Sequence, residues 1–146
     1  MRASAVTFAF IVVGIAVVLM LAGREIRHER EKNLQRLAEC ERRGPSEAAF
    51  IQSAGVWFEH PQYHEMLGQF GRLTKGLSPQ QVEGLLGKPS YVEALASREG
   101  NGFNGCNWTY VLKARTTEGR FTQRDLINIT FDAEDRLADS FHEKQE

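Results

Sequence analysis

The pattern of hydrophobic and charged positions divides this chain into three parts. Residues 3–23 contain no charged side chain. As a helix they would extend about 31 Å, close to the hydrocarbon thickness of a bilayer. Residues 24–43 carry closely spaced charges of both signs, and the remainder mixes apolar and polar positions with the periods of helices and strands. We therefore predict a transmembrane anchor at 1–23, a charged helical stalk at 24–45 and a small α+β domain at 46–146.

The apolar segment has two interpretations, a cleaved signal peptide or a retained anchor. A signal peptide has a shorter apolar region and small residues at positions −3 and −1 of its cleavage site. Cleavage after Ala22 or Gly23 would place Met20 or Leu21 at position −3, so retention is favoured. The tripeptide "LAG" at 21–23 is typical of a lipoprotein signal, but Arg24 follows it instead of the cysteine that would carry the lipid.

Two signals disagree about the side of the membrane on which the domain lies. Only Arg2 and the amino terminus precede the apolar segment, whereas seven basic residues follow it within 24–43, and the positive-inside rule then predicts a cytoplasmic domain. A two-residue tail before a long apolar run is, however, also typical of an export signal. We favour a single-pass protein of the bacterial inner membrane whose domain faces the periplasm.

Helices are predicted for the first part of the domain. Ser46 can cap a helix over "EAAFIQSAGVWF", and "QYHEMLGQFGRL" places apolar residues at i, i+3, i+4 and i+7. The stretch 75–90, "KGLSPQQVEGLLGKPS", has the start and stop signals of a third, short helix. Ser78 and Gln81 match a capping box, Pro79 suits the first helical position, and the glycine at 87 with the proline at 89 ends the helix.

The same stretch superficially matches a phosphate-binding loop, because it contains "GLLGK". Such a loop requires a first glycine where Val82 stands and a metal-binding hydroxyl where Pro89 stands. Phosphate binding is therefore excluded here.

Strands are predicted for the last third of the chain. "NWTYVLK" at 107–113 and "DLINITFD" at 125–132 alternate apolar and polar residues with period two. Weaker strands are predicted at 91–97 and 136–141, with the glycine-rich "REGNGFNGC" as a wide hairpin connection. These strands predict an antiparallel meander with one face on the helices and one face in water.

The order of these parts resembles the SmpA/OmlA (BamE-like) domain family over about residues 63–141. The resemblance rests on the capped helix, an aromatic strand and a strand that ends in "FD". The matching positions are Lys75, Gly76, Leu77, Ser78, Val82, Leu86, Gly87, Pro89, Trp108, Tyr110, Ile129, Phe131 and Asp132.

This resemblance implies a fold class and a kind of function. It implies an α+β fold in which two helices pack on a three- to four-stranded antiparallel sheet, here preceded by the transmembrane helix. It also implies a periplasmic domain that works by protein contact and has neither a catalytic centre nor a cofactor. The chain departs from the lipidated members of the family at Arg24.

The titratable residues give little support to an enzyme or a metal site. The net charge of −1 provides no field that would attract nucleic acid. His60 and His64 are four residues apart, but Pro61 makes His60 a residue before the helix and no cysteine or third histidine lies nearby, so surface histidines are expected. Cys106 and His142 are the only catalytic pair that we can name. We predict no enzyme, cofactor, metal or small-molecule substrate.

Four residues are candidates for contact or cross-linking. Phe103 and Phe121 lie in polar, glycine-containing segments, where each ring either folds back onto the domain or contacts a partner. Cys40 and Cys106 either form a disulfide in an oxidising compartment or remain free thiols.

Together these features predict a non-catalytic, membrane-anchored protein-interaction module of the bacterial cell envelope. Such a module would assist the assembly or maintenance of envelope proteins through an unidentified protein partner. The alternative is a cytoplasm-facing single-pass regulatory or structural subunit that oligomerises through its charged stalk.

Overall fold

The computed structural model describes residues 3–96 and 102–146, with side chains from residue 13 onward. It contains four helices and five strands within these residues. In chain order they are α1 (Ala3–Arg42), α2 (Glu47–Ala54), β1 (Trp57–Glu59), α3 (Tyr63–Phe70), α4 (Pro79–Leu86), β2 (Tyr91–Ala96), β3 (Phe103–Thr117), β4 (Arg120–Asp132) and β5 (Leu137–Gln145).

The strands form one antiparallel sheet with β3 at its centre. The order is β1-β3-β4-β5, and β2 pairs with β3 on the same side as β1. β2 lies beside the first half of β3, with Tyr91 opposite Thr109, whereas β1 lies beside the second half, with Trp57 opposite Arg115. The edges of the sheet are therefore β5 on one side and β1 with β2 on the other. Backbone hydrogen bonds already occupy part of them, since Leu137 of β5 bonds to Gly76 and Leu77 and Val92 of β2 bonds to Pro45.

The two faces of the sheet carry separate apolar clusters. The larger cluster contains Trp108, Tyr110 and Ile127 and packs against α3, α4 and the end of α1. The smaller cluster places Phe50 of α2 against Val111 and neighbouring residues on the opposite face. Alternation along β3 thus supplies side chains to both clusters.

The capping signals that predict α4 are confirmed in detail. The Ser78 hydroxyl accepts from the Gln81 amide at 3.3 Å, and the Gln81 side chain accepts from the Ser78 amide at 2.9 Å. Pro79 occupies the start of the helix, and the chain leaves it at Gly87 with a positive φ of 77°. The Tyr110 hydroxyl then donates to Gly87 O at 2.9 Å, which ties the helix end to the central strand.

The transmembrane part of the predicted fold class is wrong for the residues that the structure describes. Among them, no helix is long and apolar enough to span a bilayer. The apolar run belongs to α1, which continues without a break into the charged segment as far as Arg42. The predicted inner-membrane, single-pass location is contradicted by the same finding.

The predicted strands are too few and too short. The sheet has five strands, because Trp57–Glu59, which the sequence pattern assigns to the end of a helix, pairs with β3. β3 and β4 extend to a tight turn at Glu118 and Gly119, both of which have a positive φ. Two such residues are typical of a type I′ hairpin. Part of the predicted connection between β2 and β3, residues 97–101, lies outside the described residues.

Candidate interaction surface

The two cysteines, 66 residues apart in sequence, meet at the end of α1. Cys40 lies in the last turns of the helix and Cys106 near the start of β3, and the structure joins them in a disulfide. Both residues are buried within the larger apolar cluster. The disulfide therefore attaches α1 to the centre of the sheet.

Both phenylalanines that are candidates for partner contact fold back onto the domain. Phe103 is only 6% exposed and belongs to the larger cluster. Phe121 is half-buried, and its ring stacks on Tyr91 with 6.4 Å between centroids. A role for either ring in binding a partner stays a prediction.

The structure separates the only catalytic pair that we could name from the sequence. Cys106 is in the disulfide, whereas His142 Nε2 lies 2.5 Å from Asp125 Oδ1. The Tyr63 hydroxyl donates to Asp125 Oδ2 at 2.7 Å. We call Tyr63, Asp125 and His142 the Asp125 cluster; it joins α3, β4 and β5.

The Asp125 cluster provides hydrogen-bond donors to a buried carboxylate. Asp125 is 3% exposed, and burial of an unpaired charge would be very costly. A carboxylate only accepts hydrogen bonds, so Tyr63 and His142 act as its donors. The hydrogen bond to Asp125 raises the pKa of Tyr63, and burial raises it further. The cluster positions the edge strand β5 against α3.

The two histidines considered as zinc ligands do not form a metal site. His60 Nδ1 accepts from the Gln62 amide at 3.1 Å, and burial lowers the pKa of its imidazole. The His64 ring packs edge-on against Tyr63. Among the described residues, no three His, Cys, Asp or Glu side chains are grouped closely enough to hold a metal ion.

A cleft of about 300 Å³ lies beside the Asp125 cluster and opens between the ends of β1, β3, β4 and β5. Three ion pairs include four of its five charged lining residues. They are Lys113 with Glu59 at 3.2 Å, Arg124 with Glu143 at 2.6 Å and Lys144 with Glu146 at 2.9 Å. The fifth, Asp125, contacts His142.

The most exposed aromatic side chains of the domain lie on its edge strands. Trp57 on β1 is 56% exposed, and Val56 beside it is 67% exposed. Phe141 on β5 is 48% exposed. Sequence reasoning misses Trp57 as a surface residue because it includes "VWF" in the predicted helix that follows Ser46. The short apolar run after Gly55 could have indicated a strand.

Comparison with known proteins agrees with this architecture. A family model described as "Outer membrane protein assembly factor BamE domain" matches residues 68–140, which is half of the chain. No curated protein matches the chain.

A solved structure, described as an osmotically inducible lipoprotein OsmE characterised by X-ray crystallography, is similar at 20% identity. The match covers 57% of this chain and 80% of that one, with a TM-score of 0.38.

The family match confirms the resemblance predicted from the capped α4 helix and the aromatic strand. It includes the whole of α4, β2 and β4 and ends within β5. The chain therefore belongs to the BamE domain family.

Proposed function

We propose that this chain is a non-catalytic protein-binding module of the bacterial cell envelope, which assists the assembly or maintenance of outer-membrane proteins. The observation that carries the proposal is the match of residues 68–140 to the BamE domain, whose description names an assembly factor for outer-membrane proteins. The described part of the fold supports binding through its surface, since its polar clusters serve to hold strands and helices together.

The open edges of the sheet support protein binding. An edge strand has unpaired backbone donors and acceptors, to which an extended segment of another protein can add as a further strand. Both edges also carry an exposed aromatic ring, Trp57 on β1 and Phe141 on β5. Tryptophan and other large aromatics contribute strongly to binding where they become buried in an interface.

The positions of the nucleophile and base candidates support a non-catalytic role. The Cys106 sulfur is bonded to Cys40, so it is no thiolate nucleophile. The His142 ring is oriented by Asp125, but the third member of the cluster is the Tyr63 hydroxyl, which donates to the same carboxylate. The arrangement is that of a structural hydrogen-bond cluster.

The disulfide supports a periplasmic location for the domain. Disulfides form and persist in oxidising compartments such as the bacterial periplasm and are rare in the cytosol. A periplasmic domain would also have access to outer-membrane proteins during their assembly.

Site-specific photo-crosslinking in living cells tests this proposal. A photoreactive amino acid replaces Trp57 or Phe141 on the edge strands, with Gln80 and Lys88, which are exposed on and just after α4, as control positions. We expect crosslinks from the edge positions, and none from the controls, to proteins that assemble outer-membrane proteins. Crosslinks confined to the control positions, or to cytoplasmic proteins, would contradict the proposal.

A further inference from the structure

Among the described residues, the contact between α1 and the rest of the domain lies near the carboxyl end of the helix. Asn33, Leu37 and Cys40 face the domain at helical spacing, whereas most of the preceding described side chains are exposed. A groove of about 190 Å³ lies beside this contact, lined by Asn33, Leu34 and Leu37 of α1 and by Ala96 and Phe103 of the sheet. Within the described part of the chain, the helix is thus held near its carboxyl end.

Among the described residues, one covalent bond and two non-covalent contacts hold this end of α1. The Cys40–Cys106 disulfide bonds the helix to β3. Leu37 packs against the larger apolar cluster. The Arg43 guanidinium lies 5.7 Å from the centre of the Trp108 ring, a cation–π contact that is weak by comparison with a covalent bond.

A backbone hydrogen bond holds the chain to the sheet immediately after α1. The Val92 amide donates to Pro45 O at 2.9 Å, which binds the connecting segment to β2. Pro45 prevents the helix from continuing, because it lacks an N–H, and Gly44 before it adds backbone freedom. The joint between α1 and the domain therefore lies between residues 40 and 45.

The sheet has its own connections at Cys106, independent of the disulfide. Cys106 lies opposite Phe131 of β4 and Ala94 of β2, so its strand is paired on both sides. Loss of the bond to Cys40 would leave these ladders and the cluster around Trp108 in place.

From this geometry we infer that the disulfide is a redox-controlled joint. In the oxidised protein α1 and the sheet form one rigid unit, and reduction releases α1 to pivot at Gly44 and Pro45 while the sheet stays folded. This inference does not depend on the proposed function.

The reduction requires a dithiol as the reductant. One thiolate of the dithiol attacks a protein sulfur, which breaks the bond between Cys40 and Cys106 and forms a mixed disulfide. The second thiol of the reductant then closes its own disulfide. Two electrons pass to the protein, and two protons complete the two cysteine thiols. Because both sulfurs are buried, the joint must open locally before the attack.

Hydrogen–deuterium exchange of the full chain, with and without dithiothreitol, tests the inference. We expect the amides of residues 33–43 to exchange at least about tenfold faster after reduction, because the disulfide then no longer holds the end of the helix against the sheet. The amides of β3 and β4 should stay protected over the exchange times at which residues 33–43 have fully exchanged. The double variant Cys40→Ser/Cys106→Ser, without reductant, should behave like the reduced protein.

The variant Leu37→Ala in the oxidised chain is the matched control, since it removes packing at the joint and keeps the covalent bond. It should accelerate exchange of residues 33–43 clearly less than reduction does. The inference would be overturned by unchanged exchange of α1 upon reduction. Complete exchange of β3 and β4 at the same times as residues 33–43 would also overturn it, because the sheet would then not stay folded without the disulfide.

Discussion

Gly105 occupies a position on β3 that only glycine can fill. Its φ is +141°, and a Cβ at this residue would lie 2.0 Å from Phe131 O on the neighbouring strand. A side chain would therefore separate β3 from β4 beside the disulfide. No such constraint is visible in the sequence, where Asn104 and Gly105 simply match a turn signal.

We predict that Gly105→Ala lowers the free energy of unfolding by about 3 kcal/mol or more, the range of backbone strain combined with a steric clash. Gly84→Ala is the control, because Gly84 lies in α4 and a Cβ added there would meet no heavy atom within 4 Å. That change should stabilise the protein by up to about 1 kcal/mol. Urea titration followed by circular dichroism measures both values, and a Gly105→Ala protein as stable as the parent would contradict the prediction.

The Asp125 cluster has a second prediction at the residue scale. Asp125→Ala removes the acceptor of both Tyr63 and His142, and we expect a loss of about 2–4 kcal/mol from two hydrogen bonds to a charged acceptor. Tyr63→Phe, which removes one hydroxyl alone, should cost about 1 kcal/mol. Chemical denaturation of the two variants compares these values. Equal losses for the two changes would show that the carboxylate does not organise the cluster.

Local signals are sufficient to predict one element, α4, in detail. Its cap, its first-turn proline and its terminal glycine lie within ten residues of one another, so the local sequence defines both ends of the helix. β1 is different, because a three-residue strand has no resolvable period and is defined only by pairing with β3. The sequence does not predict the β3–β4 turn, because Glu118–Gly119 differs from the Asn-Gly and Asp-Gly pairs that usually form a type I′ hairpin.

The capping box of α4 gives a prediction at the element scale. Ser78→Ala removes the acceptor of the Gln81 amide, and we expect a loss of about 1 kcal/mol in the free energy of unfolding. Ser78→Asp retains an acceptor at the cap and should restore most of this loss. Thermal or urea unfolding distinguishes the two variants. If both variants lost stability equally, the hydroxyl would not be acting as a cap.

At the scale of the whole molecule, the sequence predicts the class of fold but not its long-range polar contacts. The order of helices and strands follows from the spacing of apolar residues within each segment. The family resemblance follows from short motifs. The Asp125 cluster joins residues 62 and 17 positions apart, and no local pattern marks such contacts. The two cysteines are visible in the sequence as a candidate pair, but their packing against the core requires the fold.

The covalent attachment of α1 has a measurable effect on overall stability. The disulfide closes a loop of 66 residues, and loop-closure entropy then contributes about 4 kcal/mol. We predict that Cys40→Ser/Cys106→Ser lowers the free energy of unfolding by roughly this amount while circular dichroism shows an unchanged fold. A loss below about 1 kcal/mol would mean that the unfolded chain is not restricted by the bond.

The central claim, that the exposed edge strands serve outer-membrane protein assembly, is tested most directly by the amounts of outer-membrane proteins in cells. Cells that lack this chain are complemented with the parent, with Trp57→Ala/Phe141→Ala, or with the surface control Gln80→Ala/Lys88→Ala, each at equal abundance. Quantitative mass spectrometry of outer membranes should show restored levels for the parent and control, and reduced levels for the edge variant. Equal restoration by all three proteins would contradict the account.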